Sequence, residues 1–284
     1  MFELSPHGAD VHVGVGPQYP WGGLYGGQIV AQALRAATLS VDEGLEPHSI
    51  RAYFIRRGDA SEPIRYEVDR IRNGRSFATR RVVARQAIGA ILNAESSFQR
   101  PEASAQVQTV QMPDVPGPDE LPGPDGLPGP DGLNDTAFSS VFHRVEVPDT
   151  AIKGPARSGA GRAVAWMRVA DDLGAPTDTN AQLLHRCWLA FLSDDMPTDA
   201  VCRAHPTLAG PDSDGHRFAA SLDHTVWFHR PVEADRWHLH DFTCQHFVGG
   251  RGLALGHVFS GDGAHVATIA QEVLVRDARD RDDA

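Results

Sequence analysis

The pattern of apolar and polar positions changes twice along the chain from a helical period to a strand period. In the first half, apolar residues recur at helical spacing in LYGGQIVAQALRAATLS, residues 24–40. Four runs with the character of β-strands follow, at residues 49–56, 64–72, 77–85 and 90–98. Asn73-Gly74, a strong short-range hairpin signal, separates the second run from the third. This half therefore predicts one long helix followed by an antiparallel meander.

The second half repeats this order. A helical pattern at residues 181–192 precedes strand patterns near 216–228, 237–247, 253–259 and 266–275, with Gly261-Asp262-Gly263 as the turn between the last two. The repetition predicts an α+β fold with two long helices, each wrapped by an antiparallel sheet. By itself, the pattern also permits other duplicated α+β folds.

A stretch rich in proline and glycine lies between the halves. In residues 113–132, PDVPGPDELPGPDGLPGPDG, no helical or strand period survives. We therefore expect an N-terminal domain at residues 1–104, a Pro/Gly-rich linker at 105–135 and a C-terminal domain at 136–284. A linker of this composition should contribute little to either core.

The composition narrows the classes of function. Of the 284 residues, 41% are hydrophobic and 22% are charged, and 37 acidic against 26 basic residues give a net charge of −11. This charge argues against a generally cationic surface that binds nucleic acid. Three widely spaced cysteines indicate a reducing compartment, and no signal peptide or apolar membrane span is evident. We expect a cytoplasmic protein without a membrane span.

Signatures of nucleophilic, phosphate-binding or metal chemistry are missing from the sequence. It contains no GxSxG, GxxxxGK[ST], HExxH or strand-bounded GxGxxG motif. His238 and His240 alternate along a predicted strand, but no third ligand stands at a recognisable spacing. We therefore expect neither a metal site nor a cofactor.

Two polar residues in apolar surroundings are candidates for hydrolytic chemistry. Asp194 ends the second helical pattern in LAFLSDD. Apolar neighbours and the helix C-terminus are expected to raise its pKa toward the range that suits a general base. Gln271 lies in the strand pattern ATIAQEVLVR, where a buried amide needs hydrogen-bond partners. Taken alone, each residue is better explained without catalysis, Asp194 as a polar residue that ends a helix and Gln271 as a hydrogen-bonded core amide.

Five ordered segments resemble the type II acyl-CoA thioesterases, which include bacterial thioesterase II and related peroxisomal enzymes. The resemblance covers both halves and implies a double hotdog fold, with a water-activating trio of Asp, Ser or Thr, and Gln. The segments are YGGQIVAQAL (25–34), HSIRAYFIRRGD (48–59), RIRNGRSFATRRV (70–82), SLDHTVWFHRP (221–231) and IAQEVLVR (269–276).

The same resemblance implies which residues are catalytic. The family's Asp falls on Asp194, after Ser193, its hydroxyl residue on Ser221, two positions before an Asp-His pair, and its Gln on Gln271. The implied reaction is hydrolysis of acyl-CoA to free fatty acid and coenzyme A by an activated water, within fatty acid metabolism. Asp194 is the base, while Ser221 and Gln271 orient the water. The resemblance also implies a homo-oligomer.

Other interpretations stay open at this point. A hotdog enoyl-CoA hydratase would use an Asp and a His near the start of a helix, and Asp178 and His185 stand there. A protein that only binds acyl-CoA is the third possibility. Arg56, Arg57, Arg75 and Arg80 are candidates for contacts with coenzyme A phosphates, although ordinary surface pairing explains them better. Gly26 and Gly27 are expected to let the first helix approach the sheet closely.

Overall fold

The computed structural model of the chain describes residues 1–19, 22–121, 141–153, 161–208 and 217–277. Its internal contacts group the chain into two compact units. Unit 1 comprises Met1–Val107, Leu173–Phe191 and Asp223–Glu233, and unit 2 comprises Gln108–Asp172, Leu192–Leu222 and Ala234–Ala284.

Unit 1 contains an antiparallel sheet and two helices. The helices are α1 (Gly26–Thr38) and α2 (Thr179–Leu192), of which the last residue belongs to unit 2. The strand order is β1-β2-β4-β5-β6-β3-β10. The strands are β1 (Ser5–Pro6), β2 (Val11–Gly14), β3 (Glu46–Phe54), β4 (Ile64–Asn73), β5 (Phe77–Gln86), β6 (Gly89–Gln99) and β10 (Asp223–Phe228). The helix predicted in each half, α1 and α2, is confirmed to within a few residues, and so are the four strands predicted in the first half. Strands β1 and β2 were not predicted.

Helix α1 packs its apolar face against β3, β5 and β6. Ile29, Val30 and Leu34 are almost completely buried there, and removal of this apolar surface from water is the main source of stability. Gln32 is also fully buried on the helix, but its amide is satisfied. It donates to the carbonyls of Met1 and Val15, and it accepts a hydrogen bond from the hydroxyl of Tyr66.

Gly27 permits a close contact between α1 and α2. A Cβ atom at this position would lie 2.3 Å from the carbonyl oxygen of Phe191, which is too close for any side chain. The hydroxyl of Tyr25 donates a 2.9 Å hydrogen bond to the same oxygen. The expectation that Gly27 serves an approach to the sheet is therefore wrong, because its closest neighbour belongs to the other helix.

The described strands of unit 2 are antiparallel and follow the order β13-β12-β11-β8-β7, with β9 paired to β13. Helix α3 (Met196–Ala204) packs on β8, β11 and β12. The predicted strands at 237–247, 253–259 and 266–275 are confirmed. The strands are β7 (Phe142–Glu146), β8 (Arg162–Val169), β9 (Arg217–Ser221), β11 (His238–Val248), β12 (Arg251–Ser260) and β13 (His265–Asp277). Two short 3₁₀ helices lie at Pro118–Glu120 and Asp149–Ala151.

Two predictions for the second half need correction. The strand predicted at 216–228 is two strands, since β9 pairs with β13 and β10 pairs with β3, and residue 216 lies outside the described residues. The expected pairing of one long helix with each sheet is seen only in part. The predicted helix of the second half, α2, groups mostly with unit 1. Among the described residues of unit 2, the helix that packs on the strands is the shorter α3.

The first part of the predicted linker covers one face of the unit 2 sheet. We call residues 108–121 the strap. Leu121 is 1% exposed and belongs to a hydrophobic cluster with Trp166, Leu239 and Phe259. Val110, Met112 and Val115 pack against this cluster. The expectation that the linker contributes little to a core is therefore wrong for the strap, and residues 122–135 lie outside the described residues.

Polar contacts fix the strap at several points along its length. The amide of Gln108 donates to the carbonyl of Gly263 at 3.0 Å and accepts from the N–H of His265 at 2.9 Å. The indole N–H of Trp166 donates to the carbonyl of Pro116 at 2.9 Å. These bonds satisfy backbone groups that the sheet ladder does not reach.

None of the helices in the described part of the chain has the length and the apolar character of a membrane-spanning segment.

We expect Leu121→Ala to lower the free energy of unfolding by about 2–4 kcal/mol, because it removes a fully buried side chain and leaves a cavity. Urea denaturation of the two proteins measures this difference. Val107→Ala is the control, since Val107 precedes the strap and is 82% exposed. A change of less than about 0.5 kcal/mol for both variants would contradict the assignment of the strap to the core.

Candidate active site

The structure brings the three predicted site residues together within unit 2. The side-chain N–H of Gln271 donates a hydrogen bond to Ser221 Oγ at 2.8 Å. The Ser221 hydroxyl in turn donates to the Asp194 carboxylate at 3.2 Å. The result is a directed chain of hydrogen bonds that ends on a group able to accept a proton.

Sheet register places Ser221 and Gln271 next to each other. Ser221 is the last residue of β9 and lies opposite Val273 on β13. Gln271 precedes Val273 by two positions, so it points to the same face of the sheet and its long side chain reaches the hydroxyl diagonally. On its other side, Gln271 lies opposite Ala254 of β12. The small alanine leaves room for the amide.

The three side chains differ in exposure. Gln271 is fully buried and Asp194 is 6% exposed, whereas Ser221 is partly exposed. Burial makes a fixed hydrogen bond stronger than it would be in water. Ser221 is therefore the residue of the trio with the largest exposed fraction.

Asp194 lies in a short turn between two helices. Helix α2 ends at Leu192 and α3 begins at Met196, so only Ser193, Asp194 and Asp195 connect them. Leu192 and Ser193 are fully buried, and the N–H of Asp195 donates to the carbonyl of Leu192 at 3.2 Å. The position of the candidate base therefore depends on how this turn is held.

Arg144 of β7 makes a group of ion pairs that sequence analysis did not find. Its guanidinium donates to Asp195 at 2.6 Å, to Glu146 at 2.8 Å and also to Asp199 of α3. Burial raises the pKa of Asp195, and the positive charge of Arg144 opposes that rise. The pKa of Arg144 is raised by these carboxylates in spite of its burial. The sequence gives no sign of this group, because Arg144 lies 51 positions before Asp195 and the two meet only in the folded chain.

The two histidines considered as metal ligands have separate environments. His238 Nδ1 lies 2.9 Å from the carbonyl oxygen of Arg236. His240 is completely buried, and burial lowers the pKa of its ring to about 3, so it is neutral at physiological pH. Within the described ranges, no group of three or more His, Cys, Asp or Glu side chains is arranged to hold a metal ion.

The residues of the hydratase interpretation have structural partners. Asp178 accepts a 2.8 Å hydrogen bond from the N–H of Ala181 at the start of α2, as an N-terminal capping residue does. His185 is fully buried, and its Nε2 lies 3.0 Å from the carbonyl oxygen of Gly174. These contacts explain both residues without a catalytic role.

Arg80, one of the arginines expected to bind phosphate, has a structural role instead. It is 2% exposed, and its guanidinium donates to the hydroxyl and carbonyl of Ser40, to the carbonyls of Arg72 and Thr79, and to the Asn73 side chain. These bonds join the end of α1 to the hairpin of β4 and β5. Arg56 also donates to a backbone carbonyl, that of Ala90, at the surface.

Family models match both halves of the chain. The acyl-CoA thioesterase N-terminal domain matches residues 16–99, and the acyl-CoA thioesterase C-terminal domain matches residues 113–275. The second match includes Asp194, Ser221 and Gln271.

Individual proteins resemble the chain over most of its length. Acyl-CoA thioesterase 2 of Haemophilus influenzae is 34% identical over 264 residues, which cover 89% of this chain and 87% of that protein. The crystal structure of an acyl-CoA thioesterase II from Mycobacterium marinum superimposes with a TM-score of 0.80 at 32% identity, covering 97% of this chain and 95% of the other. A hot dog fold protein from Alicyclobacillus acidocaldarius has a TM-score of 0.72 at 24% identity, with 97% and 96% covered.

Proposed function

Because the chain belongs to the type II acyl-CoA thioesterase family, it is an enzyme that hydrolyses acyl-CoA thioesters, and we propose that Asp194, Ser221 and Gln271 are its catalytic residues. The observation that carries this proposal is the hydrogen-bond chain from Gln271 through Ser221 to Asp194. Residues 27 and 50 positions apart meet there with compatible donors and acceptors.

In the proposed reaction, Asp194 accepts a proton from a bound water while the water oxygen attacks the thioester carbonyl carbon. The Ser221–Asp194 bond of 3.2 Å is long for two oxygens, so a water replaces it at little cost. Gln271 holds the Ser221 oxygen by donating to it, which leaves the hydroxyl hydrogen aimed at the base and the incoming water. The pre-arranged groups lower the barrier by removing the need to order them during reaction.

The leaving group makes this simple machinery sufficient. When the tetrahedral intermediate breaks down, the C–S bond opens, coenzyme A leaves as a thiolate, and the proton held by Asp194 returns to it through solvent. A thiol of this kind has a pKa of about 8.5, so its departure needs no strong general acid. Every proposed step uses only water and side chains of this chain.

An alternative mechanism would use Ser221 as a nucleophile that attacks the thioester. Its hydroxyl donates to a carboxylate, as a nucleophile donates to a base. However, the hydrogen bond from Gln271 reduces the electron density on Ser221 Oγ and so makes it a poorer nucleophile. Direct attack by water leaves Ser221 as an orienting group, which fits the hydrogen bond that it receives from Gln271.

The proposed architecture is a double hotdog, with domains at residues 1–104 and 136–284 and a linker at 105–135. The separate family matches at 16–99 and 113–275 support a division into two related halves. The hot dog fold of a structural neighbour supports the fold. The proposed domains follow the sequence matches to the two family models, whereas the two compact units follow the contacts within the structure.

A cytoplasmic location and a role in fatty acid metabolism belong to the same proposal. The free state of Cys187, Cys202 and Cys244 suits a reducing compartment. The substrate is an acyl-CoA, and nucleic acid is not a proposed partner because the net charge is −11.

Replacement of the three residues tests the proposed mechanism. We expect Asp194→Asn to lower kcat by roughly 100-fold or more, because it keeps the size of the side chain and removes proton acceptance. Gln271→Ala should also impair kcat, and Ser221→Ala should cost less, since a hydroxyl only shares the task of orienting water. Release of free thiol from a panel of acyl-CoA chain lengths measures turnover, with a colorimetric thiol reagent.

Glu272→Gln is the matched control for Gln271→Ala. Glu272 is the next residue on β13, points to the other face of the sheet and pairs with Arg251 at the surface. Its replacement should leave kcat unchanged. An acyl-enzyme adduct in mass spectra, together with Ser221→Ala as the most damaged variant, would replace the direct-water mechanism by a covalent one.

We also expect the chains to associate in solution. Light scattering at micromolar concentration should give a mass at least twice the 30.7 kDa of one chain. A single species of 30.7 kDa across the accessible concentrations would show that the homo-oligomer expectation is wrong.

A further inference from the structure

The two consecutive aspartates after α2 contact different strands of unit 2. Asp194 accepts a hydrogen bond from Ser221 of β9, whereas Asp195 accepts one from Arg144 of β7. The guanidinium of Arg144 also binds Asp199, one turn further along in α3. Arg144 therefore joins an edge strand to both the beginning and the first turn of the helix that follows Asp194.

The Arg144–Asp195 pair is the most shielded part of this group. The side chains of Arg144 and Asp195 are only 18% and 17% exposed, whereas those of Glu146 and Asp199 are 45% and 32% exposed. A partly buried ion pair is screened little by salt, and loss of Arg144 would leave the Asp195 carboxylate without its ionic partner. The pair is thus able to hold the turn, which an exposed surface pair is not.

The turn needs such a restraint because it carries the proposed base. Asp194 is one residue from Asp195, and a base has to be held in place relative to the water from which it takes a proton. Buried Leu192 fixes the turn on the α2 side. On the α3 side, Asp195 is the residue before the helix and is fixed by Arg144.

We propose that Arg144 and Asp195 are positioning residues, whose ion pair keeps the carboxylate of Asp194 within reach of Ser221 and of the attacking water. This inference rests on the proposed role of Asp194 as the base. Neither residue is required to touch the substrate. Loss of their pairing misplaces the base, and a misplacement of about 1 Å at a reacting group lowers a rate by roughly 100-fold.

A second ion pair in the same sheet provides a matched control. Arg162 of β8 and Asp241 of β11 are joined by two 2.8 Å hydrogen bonds, and their side chains are 9% and 16% exposed. By strand register, Asp241 points to the face opposite that of Gln271. This pair matches the first in chemistry and burial, but it has no bond to the turn that carries Asp194.

The first experiment compares Asp195→Asn with Asp241→Asn. Both variants keep the size of the side chain and weaken one buried ion pair, so both should lower the melting temperature. We expect Asp195→Asn to lower kcat roughly 10- to 100-fold with KM changed less than about threefold, and Asp241→Asn to leave kcat within about twofold of the parent protein. Assays run well below both melting temperatures, so that only folded protein is measured.

Arg144→Lys serves as a second variant if Asp195→Asn does not fold. Lysine keeps the positive charge but lacks the fork that binds two carboxylates at once. Its kcat should lie between those of the parent protein and Asp195→Asn. Unchanged kcat in either positioning variant would overturn the proposal.

A double variant decides whether Asp195 acts through Asp194. Residues that work as one unit have effects that do not multiply. If the proposal holds, adding Asp195→Asn to Asp194→Asn lowers the residual kcat by less than about threefold. If the two effects multiply, Asp195 has an independent role and the proposal is wrong.

The single variants Asp194→Asn and Asp195→Asn, compared with the parent protein, separate this proposal from the proposed function. Full kcat in Asp194→Asn would remove Asp194 as the base, and the positioning role would fall with it. A large loss in Asp194→Asn with parental kcat in Asp195→Asn would leave the catalytic role intact and overturn only the positioning role.

Discussion

The site depends on one constraint, which is that every carboxylate placed in the interior of unit 2 must have a partner. Two of them follow each other directly at the end of α2, where little water is available to solvate a charge. Asp195 meets this constraint with a guanidinium and Asp194 with a hydroxyl. The ionic partner is permanent, whereas the neutral partner is one that a water molecule is able to replace. In the proposed mechanism, this difference gives Asp195 a structural role and Asp194 the role of the base.

Gln271 illustrates how a sheet supports such chemistry. A glutamine in the middle of a strand is costly when buried, unless both ends of its amide are bonded. Here it lies two positions from the residue opposite Ser221, and the paired strands hold it more rigidly than a loop would. The buried amide thus fixes the direction of the serine hydroxyl. In the proposed mechanism, rigid support of this kind lets a hydroxyl and a carboxylate activate water without a strong acid.

The sequence was sufficient for most of the local elements, because strand alternation and Asn73-Gly74 involve neighbouring positions. Its short motifs also named three residues, Asp194, Ser221 and Gln271, that the structure brings together, and their catalytic role stays a proposal. It was not sufficient for features that join distant segments. Arg144 and Asp195 are separated by 51 residues, and no local period announces their contact. Pro and Gly dominate residues 113–132, and this composition predicted a linker without a core. The packing of the strap comes instead from a few spaced apolar residues such as Leu121, which the average composition does not reveal.

The break between β9 and β10 gives the chain an unusual sensitivity to length. Ser221 ends a strand paired with β13 and, after Leu222 alone, Asp223 begins a strand paired with β3. Each ladder fixes its own register, so a shift of Ser221 by one residue has almost no slack on its C-terminal side, where Leu222 alone joins the ladders. A shift of one residue would turn the Ser221 side chain to the other face of the sheet, and its hydroxyl would leave Gln271. In evolution, insertions and deletions should therefore be excluded from this short stretch more strictly than many substitutions in the buried core.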